Sequence, residues 1–147
     1  MKSLITRAAV LGASVMTAAT LATPAQAAPT AETTATRSYY GAIAINSRTL
    51  AVGLMNDSST RSGAERLALS RCKKYSYSSY CKNVVWVRNG CAAVAVKYDS
   101  KGRPVRYASA YGSSKWPTIR LAQKRAKGYA TTGTVKTRAW LCTTRYY

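Results

Sequence analysis

Two stretches of the chain alternate strictly between small and β-branched residues. They are 41–46 and 92–98, with Ala42-Ile43-Ala44-Ile45 in the first and Ala93-Val94-Ala95-Val96 in the second. A period of two is the mark of a strand whose two faces meet different neighbours. Asn46-Ser47-Arg48 and the loop around Gly102 then supply turns, so second strands are expected near 49–55 and 104–111.

The period next lengthens to that of a helix. Ser62-Gly63-Ala64-Glu65 reads as a capping box, with the serine oxygen accepting from an early free amide and the glutamate reaching back. Ala64, Leu67, Ala68, Cys72 and Tyr75 share one face, leaving Arg61, Arg66, Ser70, Lys73 and Lys74 to water. A second helix is predicted to open at Ser114, with Pro117 tolerated in its first turn. Thr118, Leu121, Ala122, Ala126 and Tyr129 form its core face. Closing strands are predicted over 83–88 and 135–143, each with a central tryptophan, Trp86 and Trp140.

These elements repeat. Ala42–Ile45 matches Ala93–Val96 at an offset of 51, and Arg66-Leu67-Ala68 matches Arg120-Leu121-Ala122 at 54. Tyr75 and Trp86 match Tyr129 and Trp140 at that second offset, and a longer hairpin around 99–103 accounts for the difference of three. The expected fold is α+β: duplicated β-β-α-β units of about 39–90 and 91–147, with antiparallel sheet or sheets packed against two helices. The units would bury their apolar faces against each other.

The four cysteines fit this frame. Cys72 and Cys81 fall where the second unit has Ala126 and Val135, so both are missing there together, as a bonded pair would be. That leaves Cys91 with Cys142, one of the three connectivities that four cysteines allow. Spacings of 9, 10 and 51 contain no C-x-x-C knuckle and the chain has no histidine, so neither zinc nor any other cofactor is expected.

Residues 1–27 read as a secretory signal peptide: Lys2 and Arg7, an apolar run to about Ala22, and the small-x-small close Ala25-Gln26-Ala27. The run is shorter than the ~20 residues a spanning helix needs. Cleavage after Ala27 would release a secreted chain in which disulfides persist. Residues 28–38 have too few large side chains to offset ordering entropy and are expected to be a disordered arm, followed by a single domain over 39–147. With 23 Lys+Arg against 4 Asp+Glu the formal charge is +19, and +17 without Lys2 and Arg7. Such a charge attracts polyanions of any kind.

Several stretches carry a family likeness. They are Tyr40-Gly41-Ala42-Ile43-Ala44, Ser62-x-x-Glu65-Arg66-x-Ala68-Leu69-x-x-Cys72, Cys81-Lys82-Asn83-Val84-Val85-Trp86, Asn89-Gly90-Cys91-Ala92-Ala93 and Trp140-x-Cys142. In this order they resemble a secreted bacterial family known only as domain of unknown function 4189, over roughly residues 39–143. The resemblance implies duplicated ββαβ-type units and, for some members, interactions with hosts or competitors. It supplies no catalytic residue. Tyr40 stands where the family usually has tryptophan, and the second helix lacks a cysteine that some members carry.

Enzymatic function is not expected. Histidine, the commonest general base, is absent, and the acids of the mature chain are Glu32, Asp57, Glu65 and Asp99, none placed as a pair. A protein-interaction module of effector, immunity or inhibitor type is the expected role. Its contact surface would be the loop 75–80 that Cys72 and Cys81 close, above all Tyr77 and Tyr80, since alternating Tyr and Ser give broad contact at low entropy cost. The alternative is a polyanion-binding or antimicrobial protein acting on surface polymers or nucleic acid. It would use Arg66, Arg71, Lys73 and Lys74 on the first helix and Arg120, Lys124 and Lys127 on the second. The partner is thus a protein or an anionic surface polymer, with specific nucleic-acid recognition not expected.

Overall fold

The alternation resolves into eight elements. They are β1 (Tyr40–Asn46), β2 (Val52–Ser58), α1 (Arg61–Ser76), β3 (Cys81–Arg88), β4 (Cys91–Tyr98), β5 (Pro104–Gly112), α2 (Lys115–Lys127) and β6 (Thr134–Cys142). The structure is a computed structural model that describes residues 37–77 and 79–144. The expected signal peptide and all but the last two residues of the expected arm lie outside the described residues.

The strands form two antiparallel three-stranded sheets, β2-β1-β3 and β5-β4-β6. Each unit therefore has its first strand in the centre. Both central strands are almost wholly buried, and their alternation sorts the layers. Ile43, Ile45, Val94 and Val96 point between the sheets and join Leu50, Val85, Val87, Ala92, Ala139 and Leu141 in one core. Fully burying such a side chain contributes about 1.5–3 kcal/mol. Ala42 and Ala44 point the other way onto Ala64, Ala68 and Cys72 of α1, and Ala93 and Ala95 onto Ile119, Ala122 and Ala126 of α2. The order of layers is α1, sheet, sheet, α2.

Small residues on the outward faces let the helices come close. At Gly53 in β2 an added Cβ would overlap the Ala68 carbonyl oxygen and the Cys72 amide nitrogen, so α1 backbone rests directly on strand backbone. Both disulfides form, Cys72–Cys81 between the end of α1 and the start of β3, and Cys91–Cys142 across the β4/β6 ladder. The two sheets also share a bulge. Val84 is the extra residue between the partners of Ile43 and Ala44, and Arg138 the one between the partners of Val94 and Ala95.

Local expectations need four corrections. Thr60, not Ser62, caps α1: its side chain accepts from the Gly63 amide at 3.1 Å, while Glu65 pairs with Arg61 at 3.0 Å. The strand β2 starts later than 49–55, because the turn runs on to Leu50, which takes φ 59°. Within that turn the Asn46 side chain accepts from the Arg48 and Thr49 amides. Tyr75 and Tyr129 are not core residues. The last turn of α1 carries Tyr75 clear of the sheet, and α2 stops before Tyr129 at Gly128, whose φ is 59°. Leu67 and Leu121 are each 37% exposed, because each helix meets its sheet along a narrow strip, Ala64, Ala68 and Cys72 in α1 and Thr118, Ile119, Ala122 and Ala126 in α2.

Candidate functional site

The surface residues singled out by sequence do not come together. Arg66, Arg71, Lys73 and Lys74 lie on the solvent side of α1, and Arg120, Lys124 and Lys127 on that of α2, with both sheets between. Arg71 also holds its helix in place, donating from Nη1 to the Leu54 carbonyl. All seven are exposed.

The aromatic tip beyond α1 is more defined. Tyr77 forms the C-cap in the left-handed region (φ 47°) and its side chain is 97% exposed. Tyr75 joins it at 66% exposure, so the tip is larger than Tyr77 and Tyr80 alone. Tyr80 is half exposed, with the Arg48 guanidinium 3.6 Å above its ring. The Ser76 hydroxyl donates to the Cys72 carbonyl, and the Cys72–Cys81 bond closes the base. The aromatic rings are thus offered to solvent from an anchored loop.

Sequence reasoning missed a cleft of about 660 Å³ between the edge strands β3 and β5. Residues 84–89 form one wall and 109–113 the other, and Arg125 reaches in from α2. Two arginines, Arg88 and Arg125, line it with no carboxylate. Across the cleft floor the Ser109 hydroxyl donates to the bulged Val84 carbonyl at 2.9 Å, and Arg125 Nη1 donates to the Ser109 carbonyl at 2.9 Å. Tyr111 on β5 is exposed, and so in part is Trp86 on β3. The sequence signal for this site was Trp86, the tryptophan of the first closing strand.

Those tryptophans have a shared arrangement. Arg61, first residue of α1, lies 4.2 Å over the Trp86 ring, and Lys115, first residue of α2, lies 3.6 Å over Trp140. A cation at a helix N-terminus opposes the macrodipole. Contact with the ring face offsets this by about 0.5–2 kcal/mol.

The described acids all hold local structure. Glu65 pairs with Arg61. Asp57 accepts from the Thr144 amide at 2.7 Å, tying β2 to the residue pair after β6. Asp99 accepts from the Arg103 and Lys101 amides and pairs with the Arg103 guanidinium. The Arg103 amide is the largest influence holding the Asp99 carboxyl below its ordinary value, against an opposing desolvation; the Arg103 side chain and Lys101 amide add to it. Glu32 lies outside the described residues. Among the described residues no group of three or more His, Cys, Asp or Glu could hold a metal ion. Among them, too, no helix is long and apolar enough to cross a membrane.

No curated protein and no solved structure matches the chain. A family described as Domain of unknown function (DUF4189) matches residues 40–142. That span starts with the first residue of β1 and ends with the cysteine that closes β6, so it takes in both sheets, both helices and both disulfides. The chain belongs to the DUF4189 family.

Proposed function

We propose that the chain is exported, cleaved after Ala27, and works outside the cell as a non-enzymatic protein-interaction module of effector, immunity or inhibitor type. The observation that carries this reading is the aromatic tip: Tyr75 in the last turn of α1 and Tyr77 at its C-cap stand exposed within the segment that Cys72–Cys81 closes. Tyrosine supplies large contact area with few rotatable bonds, and aromatics dominate binding hot spots. A disulfide at the base limits the entropy lost on docking.

The test is capture of secreted and envelope proteins on the immobilised mature chain. Tyr77→Ser combined with Tyr80→Ser abolishes capture, with stability changed by no more than about 1 kcal/mol, the Arg48–Tyr80 contact being the main loss. A partner held equally well by the double variant would refute the tip as contact surface. N-terminal sequencing from culture supernatant checks the export step, with Ala28 expected first.

A second reading, binding of anionic surface polymers, is favoured by the outer face of α2. There exposed Trp116 is followed by Arg120, Lys124 and Lys127, and the helix carries no acid. Binding of this kind falls steeply with salt, whereas capture through the tip persists.

A further inference from the structure

We propose that the β3–β5 cleft takes an extended peptide of alternating apolar and acidic residues, which adds as a fourth strand along the free edge of β3. This rests on the reading of the chain as a protein-interaction module and assigns the chemistry of a partner at a site separate from the aromatic tip.

The edge comes first. In the sheet β2-β1-β3 no strand among the described residues lies beyond β3, so its outward backbone groups face the cleft mouth, the Val84 carbonyl being held by Ser109. An extended peptide satisfies such an edge by main-chain pairing, and its side chains then alternate between the faces of the sheet. The five residues from Val84 to Arg88 give a track of about 17 Å at ~3.3 Å per residue.

The alternation of β3 dictates the alternation of its guest. Val85 and Val87 are buried between the sheets, while Trp86 and Arg88 are exposed on the opposite face. Guest side chains on the Val85/Val87 face enter the cleft, where Tyr111 and Ser109, its hydroxyl already bound to the Val84 carbonyl, make the far wall. The lining there is mostly apolar, so these are apolar positions. Guest side chains on the Trp86/Arg88 face lie beside Arg88 and beside the Arg61 guanidinium that covers Trp86. Arg61 has a carboxylate partner in Glu65, whereas Arg88 has no ion-pair partner among the described residues. A glutamate or aspartate there meets positive charge, and no carboxylate lines the cleft to repel it. From the β5 side Arg125 of α2 adds a further guanidinium, one nitrogen of which donates to the Ser109 carbonyl.

A polyanion without apolar groups would answer the arginines but leave the mostly apolar lining of the cleft unmatched. A wholly apolar strand would do the reverse. The two faces together specify an amphipathic strand.

The experiment measures fluorescence anisotropy of labelled hexapeptides with the mature, disulfide-intact chain at about 0.15 M salt, where distant charges are screened. The probes are an alternating Val/Glu hexapeptide, its Val/Lys counterpart, and the Val/Glu hexapeptide N-methylated at every second residue. The Val/Glu peptide should saturate the protein below about 1 mM. The Val/Lys and N-methylated peptides should bind at least about tenfold more weakly, since one reverses the charge match and the other removes the edge amides. Arg88→Glu should weaken the Val/Glu peptide at least about tenfold. Because Arg88 is exposed, its melting temperature serves as the check on folding.

Absence of saturable binding overturns the proposal. So does equal binding of the N-methylated peptide, which would mark non-specific charge attraction. Loss of binding in Tyr77→Ser would place the peptide at the tip and overturn the assignment to the cleft. Peptide binding without any captured protein partner would instead count against the wider interaction reading, and a captured partner without peptide binding against the cleft alone.

Discussion

Replacing Gly53 with alanine tests how α1 is seated. Nothing in the Gly53 backbone demands glycine for its own sake; the demand comes from across the interface. An alanine Cβ would overlap the Ala68 carbonyl oxygen and the Cys72 amide, and also crowd the Cys72 Cα. These are backbone atoms within a helix, so they cannot swing aside as a side chain would. The helix must move or the strand must bend. Overpacking of a core costs about 1–3 kcal/mol, and a clash against rigid backbone belongs at the upper end. For a domain near 100 residues each kcal/mol shifts the melting temperature by about 4–8 °C, so a fall of roughly 12–24 °C is expected.

The assay is thermal and urea unfolding followed by circular dichroism on the oxidised chain. A matched control exists. Gly53 pairs with Ala44 in β1, and the corresponding Ala95 in β4 pairs with Ala108, so the second sheet already accommodates a Cβ at this place. Ala108→Gly should therefore cost only the loss of a small packed side chain and some backbone entropy, about 1 kcal/mol. If Gly53→Ala lowers the melting temperature by no more than Ala108→Gly, the direct seating of α1 on β2 is wrong. Any shift of α1 also moves Tyr77, so partner capture should fall with stability.

Other outcomes follow from the same contacts. Cys91→Ser with Cys142→Ser opens a loop of 51 residues and should cost about 4 kcal/mol, against about 3 kcal/mol for Cys72→Ser with Cys81→Ser, measured by urea unfolding. Peptide mapping of the oxidised chain should find those two pairs and no free thiol. The Asp99 carboxyl, held below its ordinary value, stabilises the β4–β5 turn above the unfolded aspartate value, and that contribution fades as pH falls through the lowered one. NMR titration should show the Asp99 carboxyl titrating below an unstructured aspartate, and Asp99→Asn should remove the difference in turn protection. Sodium chloride should raise the melting temperature, since the only two ion pairs among the described residues are exposed while like charges abound. A fall with added salt would show that the excess positive charge is not a burden on the fold.

Periodicity made the elements legible because both central strands alternate between alanine and a β-branched residue. It also paired the cysteines, since Ala126 and Val135 stand where Cys72 and Cys81 do in the other unit. What alternation does not encode is which neighbour covers which face. That the alanine faces take the helices and the Ile43/Val94 faces meet each other follows only from bringing the halves together. Tyr75 and Tyr129 misled for a related reason. In a chain with no phenylalanine, tyrosine at helical spacing looks like core, yet helices resting on alanine have no room for an aromatic ring at their contact face. The cap was misplaced because Ser62 and Glu65 satisfy a motif, while Thr60 holds the extended backbone that a cap requires. The cleft lay beyond reach because its walls are some 25 residues apart and belong to different sheets.

The openness of that cleft has a local cause in the two bulges. The units are laid so that β3 neighbours β5 on one side of the sandwich and β2 neighbours β6 on the other. Swapping the units exchanges these sides, so a repeated sequence should make them alike. They differ at the bulged residue. On the β2–β6 side that residue is Arg138, whose Nε crosses to the Leu50 carbonyl at 2.8 Å, and the Asp57–Thr144 contact draws the same edges together. On the β3–β5 side it is Val84, which has no polar side chain to send across; only its carbonyl is held, by Ser109. One arginine and one carboxylate thus link the first pair of edges, whereas a serine hydroxyl on a backbone carbonyl links the second. A chain of this charge has few acids to spend on such links, since Asp57 is one of four. The site for an acidic guest lies where the fold supplies no acid of its own.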